Sequence, residues 1–70
     1  MDELIKQAAA IAIEYDLVSV SLLQRKLMLP HSKALEVLTD LTARGIVNHD
    51  NPRKTLITID DYEKMFGGES

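Results

Sequence analysis

Proline 30 separates two stretches of helical apolar periodicity, and this break limits the fold more than any other feature of the chain. A proline disfavours helical backbone in the residue before it, here Leu29, while its own fixed φ suits the opening of a new helix. The segment before the break, Leu22 to Met28, is about two turns long at 3.6 residues per turn. The segment after it, His31 to Arg44, directs Ala34, Leu35, Val37, Leu38 and Leu41 inward and leaves Lys33, Glu36, Asp40 and Ala43 outward. A tight turn at Leu29-Pro30-His31-Ser32 therefore joins a short helix to a longer one. Gly45, directly after Arg44, fits the left-handed residue that closes a helix.

The flanking sequence supplies the other elements. Asp2 can cap a first helix running to about Tyr15, with Leu4, Ile5, Ala8, Ile11, Ala12 and Tyr15 on its apolar face. Its polar positions are few, essentially Glu3, Lys6, Gln7 and Glu14, so the helix either sits centrally or lends a face to a partner. Val18-Ser19-Val20 alternates in the strand period, and Ser21 can cap the short second helix. Ile46-Val47-Asn48 and Thr55 to Ile59 read as two strands joined through His49-Asp50-Asn51-Pro52-Arg53-Lys54, a hairpin with a polar, partly basic tip. Asp60 to Phe66 is expected to form a last helical turn, with Asp60 and Glu63 spaced as a capping box. The order is that of an α+β winged helix-turn-helix, three helices plus a small β-hairpin wing, over residues 1–66, with 67–70 as a flexible tail.

Seventy residues suffice for one core only. Without cysteine there is no disulfide framework and no thiolate metal site, which favours an intracellular, cytoplasmic setting and leaves stability to packing. No apolar run is long enough for a membrane span, and the acidic Met1-Asp2-Glu3 start is unlike a signal peptide. The net charge of -3 argues against nucleic acid when taken alone. Its distribution reverses that argument. Residues 17–59 carry Arg25, Lys26, Lys33, Arg44, Arg53 and Lys54 against Glu36, Asp40 and Asp50, while each end of the chain is acidic.

Catalysis finds no support in these residues. His31 and His49 lack a spaced second ligand, so neither marks a metal site. The paired glycines, Gly67-Gly68, form no phosphate loop, and Ser19 and Ser21 have no histidine and acid at a recognisable spacing. Glu36 and Asp40 share a helical face as ordinary solvated carboxylates. No cofactor, metal or small-molecule substrate is expected. Duplex DNA fits better, because the first turn of a recognition helix offers backbone N–H groups to phosphate and side chains to base edges. Those side chains are His31, Ser32 and Lys33. Arg25 and Lys26 would meet the backbone on one flank, and Arg53 with Lys54 on the other.

Ser19-Val20-Ser21-Leu22-Leu23-Gln24-Arg25-Lys26-Leu27, His31-Ser32-Lys33-Ala34 and Ala43-Arg44-Gly45-Ile46-Val47 together resemble the gamma domain of the septal DNA translocase FtsK. The resemblance covers residues 4–59, with no gap from Ser19 to Val47. The typical family run is a Ser-Ile-Ser-like strand, a Gln-Arg on the second helix, a Tyr-Asn-Arg-Ala-Ala-Arg recognition helix and a Gly-Ile-Val opening the wing. It implies a winged helix that reads short guanine-rich sequences and also contacts a site-specific recombinase. The family's Asn-Arg base-reading pair falls on Ser32 and Lys33, and its second recognition arginine falls on Glu36. This last departure puts an acid where the family has a base, so the guanine-rich site is not carried over. A chain that opens with Met1 and has no linker or ATPase is expected to be a free-standing relative or an excised domain. The alternative to DNA is a protein partner or self-association through the first helix or the stripe of Glu36 and Asp40.

Overall fold

The computed structural model of the chain describes residues 2–50 and 53–67, without the side chain of Asp2. Its elements are α1 (Asp2–Tyr15), β1 (Leu17–Val18), α2 (Val20–Leu27), α3 (His31–Ala43), β2 (Arg53–Lys54) and α4 (Ile59–Tyr62), the last continued by one π-helical turn, Glu63–Gly67. Ile5, Ala8, Ala9 and Ala12 of α1 are buried with Val18, Leu23, Ala34, Val37, Leu38, Leu41, Ile46 and Val47 in one apolar cluster. The three alanines allow the α1 backbone to approach its neighbours closely. α1 packs against α3 and β1, α2 packs against α3, and α4 reaches back to α1.

β1 pairs antiparallel with β2, Leu17 opposite Lys54 and Val18 opposite Arg53. The other side of β2 is continued by a single bridge from Val47 to Thr55. Asn48 N–H donates to the Lys54 carbonyl at 3.0 Å and Leu56 N–H to the Ile46 carbonyl at 2.8 Å. The strand before the helix-turn-helix thus pairs with the strand after it. This is the α+β arrangement of a winged helix.

Both ends of α3 are set by local chemistry. Met28, in the left-handed region at φ 57°, ends α2, and Pro30 at φ -68° and ψ 161° occupies the position just before α3. At the other end Gly45 has φ +77°. Its N–H donates to the Thr42 carbonyl at 3.1 Å, and Ile46 N–H donates to the Leu41 carbonyl at 2.9 Å. These are the two bonds of a Schellman motif, and the apolar pair that accompanies it is Ile46 with Leu41, both fully buried.

The structure corrects several sequence expectations. Ser19 caps α2 in place of Ser21, its Oγ accepting from Leu22 N–H at 3.1 Å, because pairing with β2 stops at Val18 and leaves Ser19 extended. Val20 is therefore helical. The expected hairpin shrinks to the Val47–Thr55 bridge, and Arg53 and Lys54 stand in β2 alongside β1 where the sequence suggested a loop tip. The second strand stops after Thr55 because Thr58 starts a helix. Thr58 Oγ1 accepts from Asp61 N–H at 3.1 Å while Asp61 Oδ2 accepts from Thr58 N–H at 3.0 Å, so the capping box is Thr58 with Asp61, where Asp60 with Glu63 was expected. The bonds from Thr58 hold the Asp61 carboxyl below its ordinary pKa. The final turn extends through Gly67.

Two residues expected inside face solvent, Tyr15 and Leu35. At ~100° per residue, Ala34, Val37, Leu38 and Leu41 occupy one side of α3, and Leu35 falls about 60° past its edge. Tyr15 closes the last turn of α1, and its ring is covered by Lys26 of α2. Helix α1 includes Asp2 itself, whose expected capping side chain lies outside the described residues, as do Met1, the turn formers Asn51 and Pro52, and the tail from Gly68.

The sheet is tied to the helices by two hydroxyls. Thr55 Oγ1 donates to the Ala12 carbonyl of α1. Thr42 Oγ1 donates to the Leu38 carbonyl at 3.0 Å and accepts from Arg53 Nη1 at 3.0 Å, joining β2 to the last turn of α3.

Three variants test this description by thermal and denaturant unfolding. Gly45→Val places a β-branched residue at positive φ and is expected to destabilise by roughly 1 kcal/mol or more; an unchanged Tm contradicts the Schellman closure. Leu38→Ala opens a hole in the core and is expected to cost on the order of 2–5 kcal/mol. Native-like amide dispersion at room temperature with unaltered stability contradicts it. Thr42→Val keeps the volume but removes the acceptor for Arg53, with an expected loss of about 1 kcal/mol. If Thr42→Val melts with the parent, the guanidinium does not hold the sheet to α3.

Candidate nucleic-acid interface

α3 begins without a side-chain cap, since Pro30 has none to give, and its first side chains, His31 and Ser32, are exposed. The leading N–H groups of a helix have no intrahelical acceptors, and the helix dipole adds partial positive charge there. Lys33 follows on the flank, but its ammonium is engaged: Nζ lies 3.1 Å from Glu36 Oε1. The two side chains are 43% and 64% exposed, so solvent screens the pair and it adds little to stability.

The basic residues of the other elements divide into free and engaged groups. Arg25 near the end of α2 and Lys54 in β2 are exposed, and their side chains make no hydrogen bond or ion pair with the described residues. Lys26 lies over the Tyr15 ring, Nζ 5.2 Å from its centroid. Hydrogen bonding to Tyr15, with the nearby Glu14 charge assisting, raises its pKa above the ordinary lysine value and keeps the ammonium charged. Arg53, half-buried, is committed to Thr42. Its place is beneath the sheet edge, away from the loop tip where the sequence suggested it. The loop before it is closed by Asn48 Oδ1, which accepts from Asp50 N–H at 3.2 Å and Lys54 N–H at 3.1 Å.

The structure thus groups His31, Ser32, Lys33 and Glu36 on one end of α3, with Arg25 and Lys26 on the adjoining α2. Arg53 and Lys54 form a separate group on the sheet. Sequence reasoning missed Leu35, a half-exposed leucine on the outer side of α3, because heptad-like spacing reads any leucine near the apolar stripe as interior. It also missed Thr39, exposed one turn further on. No group of His, Cys, Asp and Glu able to hold a metal ion occurs among the described residues. His31 and His49 are both exposed. A shallow cavity of about 350 Å³ lies at the opposite end of α3, lined by Glu3, Lys6, Arg44, Met65 and Phe66. Among the described residues no helix is long and apolar enough to cross a membrane.

Three relatives share sequence with most of this chain. It is 38% identical over 63 residues to a DNA translocase FtsK of Clostridium tetani, a match covering 86% of this chain and 8% of that protein. It is 31% identical over 72 residues to a DNA translocase FtsK of Caldanaerobacter subterraneus subsp. tengcongensis, covering 99% of this chain and 10% of the relative. A DNA translocase FtsK of Halalkalibacterium halodurans is 35% identical over 65 residues, covering 89% of this chain and 8% of the relative. The chain thus spans a tenth or less of the length of these relatives. No solved structure gives a significant match. The model of the Ftsk gamma domain family matches residues 1–58, from the start of α1 through the sheet to the cap of α4. The chain belongs to the FtsK gamma domain family.

Proposed function

We propose that this domain binds duplex DNA, with the first two turns of α3 in the major groove and α2 and β2 against the backbone on either side. The observation that carries the reading is the uncapped, solvent-facing start of α3, held out from the core by Ala34, Val37, Leu38 and Leu41 and flanked by the unengaged Arg25. A helix presented in this way brings side chains to base edges, while Arg25, Lys26 and Lys54 neutralise phosphates. Ser32 and Lys33 occupy the positions of the family's base-reading pair. The role is recognition, not catalysis. In a longer translocase such a domain would read DNA while another part of the chain moved along it.

The alternative, a protein partner on α1, loses its main support in the packing. The wide apolar arc that suggested it is consumed by the domain's own core, with Ile5, Ala8, Ala9 and Ala12 buried. Glu36 and Asp40, the suggested acidic stripe, are each within 3.2 Å of a basic group, Lys33 in α3 and Arg44 just after it.

Fluorescence anisotropy on mixed-sequence duplexes at stepped salt tests the reading. The parent domain is expected to show affinity that falls with salt. Arg25→Ala and Lys54→Ala should weaken binding to all sequences and lower the salt slope by about one unit for each lost phosphate contact. Lys33→Ala should weaken binding by about 1–3 kcal/mol and relax preference at one base pair. Glu36→Arg should strengthen binding, since it removes an acid from the groove-facing side and restores the family's charge. If neither the parent nor Glu36→Arg binds any duplex in a salt-sensitive way, the reading is wrong.

A further inference from the structure

The outward side of α3 is chemically unusual for a reader of guanine. At ~100° per residue, Ser32, Leu35, Glu36, Thr39 and Ala43 lie within about 100° of one another, opposite the buried stripe. All five are exposed. None is basic. Lys33 stands on the flank and is drawn to Glu36. Guanine presents two acceptors, O6 and N7, in the major groove and is read by the donors of arginine or lysine. Glu36 has only acceptors to offer in its ionised form, so it opposes that edge.

Leu35 is the complementary observation. It is 46% exposed, whereas Leu38 and Leu41 on the same helix are 4% and 0% exposed. The leucine is surplus to the core, yet it lies in the first two turns of the helix, where base contacts are made. The one apolar group displayed on a base edge in the major groove is the C5-methyl of thymine. Resting on the DNA-binding reading above, we propose that Leu35 makes this domain a thymine reader, its side chain covering a thymine methyl group in the major groove. Thr39, one turn on, offers a second methyl on the same side.

The test uses the whole chain as it stands. Preferred duplexes are selected from a randomised pool at low salt, and each thymine in them is then replaced by deoxyuridine, which pairs identically and removes only the methyl group. The expected result is a loss of about three- to fivefold in affinity at one or two positions, the amount that withdrawing one carbon from apolar contact corresponds to. Leu35→Ala should bind the thymine duplex more weakly and show no further loss with deoxyuridine. Since Leu35 is outside the buried stripe, the variant should melt close to the parent. Should it not fold, the deoxyuridine series on the parent decides alone. Salt-sensitive binding that is indifferent to every deoxyuridine replacement, or a deoxyuridine loss of the same size in Leu35→Ala, overturns the thymine assignment and leaves DNA binding standing. Absence of salt-sensitive binding to any selected duplex overturns both.

Discussion

The packing of one side of α3 against α1 and α2 is the constraint on which the rest depends. Ala34, Val37, Leu38 and Leu41 form a stripe that repeats every three or four residues and is almost wholly removed from water. With so few residues the domain has no second core to compensate for losing this one. Orientation follows from the same contact. Once that stripe is turned inward, Ser32, Leu35, Glu36 and Thr39 must face outward, whatever their chemistry. The Schellman closure at Gly45 then turns the chain so that Ile46 and Val47 enter the same core, and the sheet is laid down beside α1. The hydroxyl of Thr55 on the Ala12 carbonyl and the guanidinium of Arg53 on Thr42 hold it there.

The helices were legible in the sequence because their signals are local and strong. Proline at position 30 and glycine at position 45 constrain φ directly, and the apolar spacing between them has only one helical solution. The strands were not. β1 and β2 are two residues each, too short for alternation to register, and their pairing joins positions 17–18 to 53–54, a long-range fact that no local pattern contains. Val20 and Thr58 illustrate the error. Both are β-branched and favour strands in isolation, yet Val20 is the first residue of α2 and Thr58 caps α4, because the hydroxyls of Ser19 and Thr58 accept helix N–H groups and Asp61 Oδ2 accepts the Thr58 N–H in return.

The candidate interface was legible in outline only. Sequence separated the basic middle of the chain from its acidic ends, and family resemblance marked Ser32, Lys33 and Glu36. What it could not supply was the employment of each charge. Lys33 faces Glu36, Lys26 covers Tyr15, Arg44 holds Asp40 and Arg53 holds Thr42, so four of the six basic residues in the central stretch have duties inside the domain. A charge count treats them as equal to Arg25 and Lys54. Geometry shows they differ, since an engaged cation must give up a partner before it meets a phosphate, and an unengaged one gives up only water.

The same geometry bears on how the proposed site for a polyanion fits a chain of net charge -3. The cavity lined by Glu3, Lys6, Arg44, Met65 and Phe66 shows that the N-terminal turn of α1 and the C-terminal π turn meet at the far end of α3. His31 opens the other end, and α3 is 13 residues long. At ~1.5 Å per residue that separates the two ends by roughly 20 Å. At physiological ionic strength the Debye length is about 8 Å, so Glu3 and the acidic residues that accompany the π turn are heavily screened at the start of α3. What a phosphate meets there is set by the nearest groups: the open N–H groups behind Pro30, Arg25 on α2, and the ammonium of Lys33. In the proposed DNA complex Glu36, 3.1 Å from that ammonium and on the outward face, bears both on which bases are tolerated and on how tightly the backbone is held.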